Sequence, residues 1–184
     1  MRTLLTSGIA LDKLSVPDPQ RDHILGPASA TLTLLEYGDY QCPYCGAAYP
    51  VVKEIQKVLG DRLCFAFRNF PLTNLHSHAE HAAEAAEAAA AQGKFWEMHD
   101  ALFENQDALR DEHIAAYAAR LNLDSKRLLS EVLSGTYAWR VREDFRAGVR
   151  CDVNGTPTFF INGVRFDGYP EAKAMIAELT AGSA

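Results

Sequence analysis

The sequence is organised around residues 36–50, Glu36-Tyr-Gly-Asp-Tyr-Gln-Cys-Pro-Tyr-Cys-Gly-Ala-Ala-Tyr-Pro50. An apolar run at residues 32–35 precedes this stretch and indicates a buried strand. Apolar residues at helical spacing follow it, over residues 51–59. Cys42 and Cys45 are therefore predicted to lie where a strand gives way to the first turn of a helix.

The start of a helix is a place where a thiol can be activated. The first turn has free backbone N–H groups and the positive end of the helix dipole, and both stabilise a thiolate. Cys42 should be affected most, whereas Cys45, one turn further on, should be more shielded. The pattern predicts dithiol–disulfide exchange, in which Cys42 attacks and Cys45 resolves the mixed disulfide. A zinc site is the alternative, but the sequence has no second Cys-x-x-Cys or His-x-x-x-His motif to complete four ligands.

The chain as a whole has the composition of a globular protein. It contains 184 residues, 48% of them hydrophobic, and its formal net charge is −6. This length suits one packed domain with an insertion. The negative charge and the lack of a Lys/Arg stripe argue against nucleic acid as a partner. No segment is long enough for a membrane span, and residues 1–12 lack the pattern of a secretory signal, so we expect a cytoplasmic protein.

Three segments near the cysteines predict a βαβ unit. Residues 30–37 are nearly all apolar, residues 42–59 have a helical pattern, and residues 62–70 alternate with a period of two. A strand, a helix and a strand this close together form parallel strands with a right-handed crossover. Residues 1–27 contain three prolines and no periodicity, and we interpret them as an N-terminal arm.

The rest of the chain predicts a helical insertion and then a return to the sheet. Residues 72–150 carry successive helical patterns. Residues 151–184 contain two strand-like runs joined by Asn162-Gly163, a strong hairpin signal because a type I′ turn needs positive φ at both positions. The predicted fold class is α/β, in which residues 28–71 and 151–184 form a core with an all-helical insertion between its βαβ and ββα halves.

Four motifs that are independent of one another resemble those of one family. They are Cys42-Pro-Tyr-Cys45, Glu36 before it, Pro50 after it, and Gly155-Thr-Pro-Thr-Phe159 near the end of the chain. Together they resemble the DsbA-like thiol-disulfide oxidoreductases, a thioredoxin fold that carries an inserted helical subdomain. The resemblance covers roughly residues 28–180. It implies a thioredoxin-like fold and a thiol-disulfide oxidoreductase activity.

The resemblance also implies a role for three catalytic residues. Cys42 is expected to be the nucleophile and Cys45 the resolving thiol. Glu36 is expected to be a buried acid beneath Cys45, where loss of hydration raises the pKa of a carboxyl group and allows it to take the proton of that thiol.

Substrate binding is expected around the same pair. The resemblance implies a cis peptide bond at Pro157, so that the backbone of Thr156 lies beside Cys42 and can pair with a bound peptide. Pro43 and Tyr44, between the cysteines, are further substrate-binding candidates. The implied partners are protein or peptide thiols and disulfides together with an unidentified redox partner. No cofactor is implied, because the dithiol is its own redox centre.

Two other classes of function remain open. One is a glutathione-dependent transferase or isomerase on the same scaffold, although such relatives usually replace the cysteine pair with a single serine. The other is a redox-switched binding module, in which the helical block recruits a partner and the disulfide only changes its conformation.

For the other histidines and cysteines considered, we favour structural roles over catalytic or metal-binding ones. We expect His76, His78 and His81 to be surface or capping residues, since two or three histidines near a helix start give little support for a metal site. Cys64 alternates with phenylalanine in a strand-like run and is predicted to be buried. Cys151 lies six residues before Pro157, on the approach to the loop that faces the cysteine pair; we favour an adventitious exposed thiol, and a part in the redox chemistry is the alternative that stays open.

Overall fold

The computed structural model describes residues 15–181, and the predicted βαβ unit is present in it. Strand β2 spans Leu32–Gly38, helix α1 spans Pro43–Leu59, and strand β3 spans Leu63–Asn69 after one short 3-10 turn. The two strands pair in parallel, as predicted. All seven residues of β3 are buried, which is expected for a central strand that is covered on both faces.

Three more strands, β1 (His23–Leu25), β4 (Thr158–Ile161) and β5 (Val164–Phe166), join these two in one mixed sheet with the order β1-β3-β2-β4-β5. Strand β4 (Thr158–Ile161) pairs antiparallel with β2, and β5 (Val164–Phe166) pairs antiparallel with β4. The turn between β4 and β5 has positive φ at Asn162 (49°) and Gly163 (84°), as the hairpin prediction required.

The N-terminal segment contains a strand that the sequence pattern did not indicate. Strand β1 spans His23–Leu25 and pairs antiparallel with β3 at the sheet edge. The interpretation of residues 1–27 as an N-terminal arm did not include this strand, and residues 1–14 lie outside the described part of the chain. Three residues are too few to show a period, and contacts of His23 with Phe95 and Glu87 hold the strand in place.

Five helices lie between β3 and β4 and form the predicted all-helical insertion. They are α2 (Ala79–Ala90), α3 (Phe95–Phe103), α4 (Asp111–Arg120), α5 (Ser125–Leu133) and α6 (Ala138–Arg150). Nine of the twelve residues of α2 are buried, and seven of those nine are alanines. Small side chains let neighbouring helices approach α2 closely, so it forms the centre of the insertion. The last helix, α7, spans Ala172–Thr180.

The sheet separates two apolar clusters, and the pleat of β2 assigns its side chains to them. Leu32 and Leu34 belong to the cluster that contains both Cys42 and Cys45. Because side chains alternate across a strand, Glu36 faces the same side. Among residues 15–181, no helix is long and apolar enough to cross a membrane.

Candidate active site

Cys42 and Cys45 lie at the start of α1, where the sequence predicted them. Cys42 is the N-cap residue, with extended backbone angles, and Pro43 occupies the first turn, where its missing N–H is not needed. Both cysteines are free thiols, and they are only 3% and 0% exposed. The carbonyl oxygen of Cys42 accepts the first helical hydrogen bond, from the amide of Gly46 at 3.1 Å.

The environment of Cys42 stabilises its thiolate. A hydrogen bond from the Cys45 thiol is the largest cause that lowers the pKa of Cys42, which falls to about 5. The Thr156 side chain and the backbone N–H groups of Cys45 and Tyr44 act in the same direction, while partial burial opposes them. The direction agrees with the expectation from its place at the helix N-terminus.

Cys45 has the opposite character. Burial is the main cause that raises the pKa of its thiol well above 9, and the hydrogen bond with Cys42 and the charge of Glu36 add to it. The backbone amide of Asp39, 3.5 Å from the Cys45 sulfur, is the group that favours a Cys45 thiolate. The two sulfurs therefore differ strongly in acidity, although they lie in hydrogen-bonding contact.

Glu36 is almost fully buried, 2% exposed, on the same side of the sheet as the cluster that contains Cys42 and Cys45. Among the described residues, its Oε1 atom has no hydrogen-bond partner. Loss of hydration, with a smaller effect from the charge of Cys42, raises the pKa of Glu36 to about 8. A carboxyl group with this pKa is mostly protonated at neutral pH, and it can both accept and release a proton there.

The loop before β4 lies across from the cysteines. The Thr156–Pro157 peptide bond is cis, and the Cys42 thiol donates a hydrogen bond to the Thr156 carbonyl oxygen at 3.4 Å. The Thr156 hydroxyl has no hydrogen-bond partner among the described residues, yet it lies close enough to lower the pKa of Cys42. Pro43 and Tyr44 lie at the surface between the cysteines, and Tyr44 is 72% exposed.

Asp39 is a residue of this site that the sequence analysis missed. Its carboxylate is buried and accepts hydrogen bonds from the amides of Gln41 and Leu72, both at 2.8 Å, and from Nδ1 of His76 at 2.7 Å. These bonds hold the loop before Cys42 against the segment that follows β3. The signal that was available was an acidic residue close before the cysteine motif.

Gln106 is a second residue that the sequence analysis missed. Its Nε2 donates hydrogen bonds to the carbonyl oxygens of Tyr40, at 2.8 Å, and Cys42, at 2.9 Å. It comes from the helical insertion, far from the cysteines in sequence, so no local pattern could have indicated it. Only Gly46, a glycine inside a predicted helix next to Cys45, hinted at a close approach.

The other histidines and cysteines considered in the sequence analysis contact other parts of the fold. His81 pairs with Asp111 at 2.7 Å, and the backbone amide of His78 donates to Gln41. Cys64 is buried, as predicted. Cys151 is half-buried at the end of α6 and not exposed, because it packs against the apolar cluster on the other face of the sheet, which includes Tyr37 and Phe160.

Comparison with known families agrees with this fold. A family model described as thioredoxin matches residues 18–179, and the chain therefore belongs to that family. Its fold is that of the DsbA-like thiol-disulfide oxidoreductases, as the resemblance predicted.

Three solved structures illustrate this likeness of fold. Oxidised BdbD from Bacillus subtilis superposes with a TM-score of 0.78 at 23% identity, covering 91% of this chain and 97% of that one. A thioredoxin-like oxidoreductase from Silicibacter pomeroyi gives 0.79 at 24% identity, covering 90% and 94%. The α-DsbA1 protein of Wolbachia pipientis gives 0.77 at 21% identity, covering 92% and 94%.

Relatives with higher identity carry a different name. The chain is 44% identical to a Na⁺/H⁺ antiporter NhaA 3 from Salinispora tropica over 177 residues, and 41% identical to a Na⁺/H⁺ antiporter NhaA from Herminiimonas arsenicoxydans over 164 residues. These alignments cover 96% and 89% of this chain. The chain spans only 27% and 26% of the length of those relatives.

Proposed function

We propose that this chain is a thiol-disulfide oxidoreductase that exchanges disulfides with protein or peptide thiols through Cys42 and Cys45. The observation that carries the proposal is the placement of two free thiols at the start of α1, with Cys42 at the N-cap 3.4 Å from the Thr156 carbonyl oxygen and Cys45 fully buried one turn further on. The pKa of Cys42 is lowered to about 5, whereas the pKa of Cys45 is raised well above 9. One sulfur is thus a ready nucleophile, and the other keeps its proton until the mixed disulfide has formed.

Reduction of a partner disulfide proceeds in two exchanges. The Cys42 thiolate attacks one sulfur of the partner, a bond forms between them, and the second partner sulfur leaves as a thiolate. Cys45 then gives up its proton, and its sulfur attacks Cys42, which releases the first partner sulfur. The Cys42–Cys45 disulfide forms as the partner gains two thiols, and the reverse sequence oxidises a partner.

Glu36 is the proton acceptor for the second exchange. Its position beneath the pair is supported by the effect of its charge on the pKa of Cys45 and by the effect of Cys42 on its own pKa. With a pKa of about 8, a fraction of the Glu36 carboxyl groups is ionised at neutral pH, and that fraction can take the Cys45 proton.

The partner chain contacts the surface around Cys42. The Thr156–Pro157 loop lies within hydrogen-bonding distance of the reactive sulfur and can pair with an extended peptide through the Thr156 backbone. Pro43 and the exposed Tyr44 form the opposite rim. The cytoplasmic location expected from the sequence remains a prediction, and it implies that the pair rests mostly as the dithiol in a reducing compartment.

Reduction of insulin by dithiothreitol tests this proposal. The wild-type chain should accelerate precipitation of the insulin chains, and Cys42→Ala should remove the acceleration. Glu36→Gln should slow release of the mixed disulfide near neutral pH while it leaves the first attack unchanged. Cys151→Ala is the matched control, because it removes a thiol outside the pair and should keep full activity. A wild type with no more activity than Cys42→Ala would overturn the proposal.

The antiporter relatives favour a second candidate, a redox-switched module that works with a Na⁺/H⁺ antiporter. The favouring observation is 44% identity across 96% of this chain with part of the Salinispora tropica protein. In this candidate function, oxidation or reduction of the Cys42–Cys45 pair changes the effect of the module on the rate of Na⁺/H⁺ exchange.

A chimera separates the two candidates. The matching segment of the Salinispora tropica protein is replaced by this chain, either wild type or with both Cys42→Ser and Cys45→Ser. Na⁺/H⁺ exchange is then measured in membrane vesicles under oxidising and reducing conditions. A redox response in the wild-type chimera that the double substitution abolishes supports the module, and equal exchange in all four cases overturns it.

A further inference from the structure

Gln106 belongs to the connection between α3 and α4, and its side chain reaches the loop that carries Cys42. Its Nε2 donates to the carbonyl oxygens of Tyr40 and Cys42 at 2.8 and 2.9 Å. The side-chain amide therefore commits both of its N–H donors to the backbone just before the first turn of α1. These two bonds join the helical insertion directly to the redox pair.

Gly46 provides the space for this amide. A Cβ atom at position 46 would lie 1.9 Å from Oε1 of Gln106 and 2.6 Å from its Cδ, and its three nearest atoms all belong to Gln106. A glycine inside a helix lowers helix stability relative to alanine. Helix stability alone would disfavour glycine at position 46, so the close contact with the Gln106 amide explains why a glycine is present there.

The connection that carries Gln106 is itself held in place. The Asn105 side chain donates to the carbonyl oxygen of Ala101 at 2.8 Å, and the Tyr117 hydroxyl donates to that of Ala108 at 2.6 Å. Leu109 is buried, 2% exposed. Gln106 therefore projects from an ordered segment, as a residue that orients a backbone must.

We propose that Gln106 is a positioning residue for the redox pair, holding the backbone of residues 40–42 so that the first-turn amides of α1 point at the sulfur of Cys42. The inference rests on the proposed function and deepens it. The amides of Tyr44 and Cys45 stabilise the Cys42 thiolate only while the peptide planes after Cys42 keep their orientation. The hydrogen bond to the Cys42 carbonyl restrains the first of those planes.

The redox equilibrium with glutathione tests the inference in four proteins: wild type, Gln106→Ala, Gly46→Ala and the double variant. Loss of the hydrogen bonds from Gln106 destabilises the Cys42 thiolate. Because the thiolate stabilises the reduced form, the disulfide then becomes less oxidising. We expect each single variant to lower the equilibrium constant for reduction of the disulfide by about fivefold, equivalent to a potential about 20 mV more negative. The pKa of Cys42, followed by thiolate absorbance, should rise in the same variants.

The double variant and the melting temperatures of the variants distinguish a positioning role of Gln106 from a general loss of protein stability. When Gln106 is present, the methyl group that Gly46→Ala adds displaces the Gln106 amide. When Gln106→Ala has already removed that amide, the same methyl group has no amide to displace, so the double variant should match the single ones. Gly46→Ala loses the same two hydrogen bonds, but it also replaces a glycine inside a helix with alanine, so its melting temperature should fall less than that of Gln106→Ala, and it remains informative even if Gln106→Ala folds poorly.

Gln92→Ala is the matched control. It removes two hydrogen bonds to Asp124 within the insertion and should leave the redox equilibrium unchanged. An equilibrium constant for Gln106→Ala equal to that of wild type would overturn the inference, and so would effects of Gly46→Ala and Gln106→Ala that add up in the double variant. A wild-type chain that forms no reversible Cys42–Cys45 disulfide with glutathione would instead overturn the proposed function and the inference together.

Discussion

The backbone amide of Asp39 donates a hydrogen bond to the buried sulfur of Cys45 across 3.5 Å. The carboxylate of the same residue accepts hydrogen bonds from Leu72 and His76, on the segment that follows β3. Asp39 thus joins the resolving thiol to a neighbouring loop through one side chain and one amide. Because an N–H donor stabilises an anion, the position of this loop affects how readily Cys45 becomes a thiolate.

Asp39→Ala is expected to destabilise the protein strongly, because it leaves three donors without their acceptor. Each hydrogen bond to a charged group contributes on the order of 1.5 kcal/mol, so the loss should be about 3 to 5 kcal/mol. His76→Ala removes one of the three bonds and should lose about a third as much. Urea unfolding of both variants measures these losses. Equal stabilities of Asp39→Ala and His76→Ala would show that the three hydrogen bonds of the Asp39 carboxylate do not each contribute to stability.

The lowered pKa of Cys42 predicts a thiolate at neutral pH. The ultraviolet thiolate absorbance of the reduced protein should therefore disappear on acidification with a midpoint near the pKa of about 5. Cys42→Ser should lack this transition, whereas Cys45→Ala should shift it to higher pH, because alanine cannot donate the hydrogen bond that stabilises the Cys42 thiolate most. A wild-type midpoint in the range of an ordinary thiol would show that the first turn does not activate Cys42.

The same thiolate predicts the reduction potential. Cys42, with its pKa of about 5, lies between the reactive cysteines of thioredoxin, about 7, and DsbA, about 3.5. A stabler thiolate favours the reduced form, so the potential should fall between about −270 mV and about −120 mV. Equilibration with glutathione measures it, with Cys151→Ala as a control that should give the wild-type value. A potential more negative than that of thioredoxin would contradict the link between the pKa of Cys42 and the reduction potential of the pair.

Local patterns carried enough information to predict most of the fold. Apolar runs predicted β2 and β3, helical spacing predicted the insertion, and Asn162-Gly163 predicted the hairpin, because each depends on residues close together in the chain. The position of the cysteines at a helix start followed from the same local signals. Strand β1 was missed because its pairing with β3, and not its own sequence, makes it a strand.

Long-range polar contacts could not be predicted in the same way. Arg68 binds the carboxylate of Asp22 with bonds of 2.9 and 2.7 Å, and it donates to Ser15 as well, which fixes residues 15–22 on the sheet. Nothing in the sequence indicates which of its 24 acidic residues is the partner of a given arginine. The contacts of Asp39 and Gln106 are of this kind too, so these two residues became visible only in three dimensions, whereas Glu36 and Thr156-Pro157 were expected from motifs in the sequence.

Glu36 makes the stability of the reduced protein depend on pH. Its pKa is raised from 4.5 to about 8 on folding, so the folded state holds the proton more tightly than the unfolded chain. Below the unfolded pKa both states are protonated and Glu36 has no such effect. As the pH rises from about 4.5 to about 8, the unfolded chain loses its proton first, and the free energy of unfolding falls.

Glu36→Gln should remove this loss, since glutamine has the same shape and no charge at any pH. The variant and wild type should have similar stability near pH 4, and the variant should be more stable by on the order of 3 kcal/mol near pH 7. Urea unfolding of the reduced proteins across this range measures the difference. Glu178→Gln, at an exposed position of α7, is the matched control and should show no such pH-dependent gain. A gain for Glu36→Gln that does not grow with pH would mean that Glu36 is not the buried acid beneath the pair.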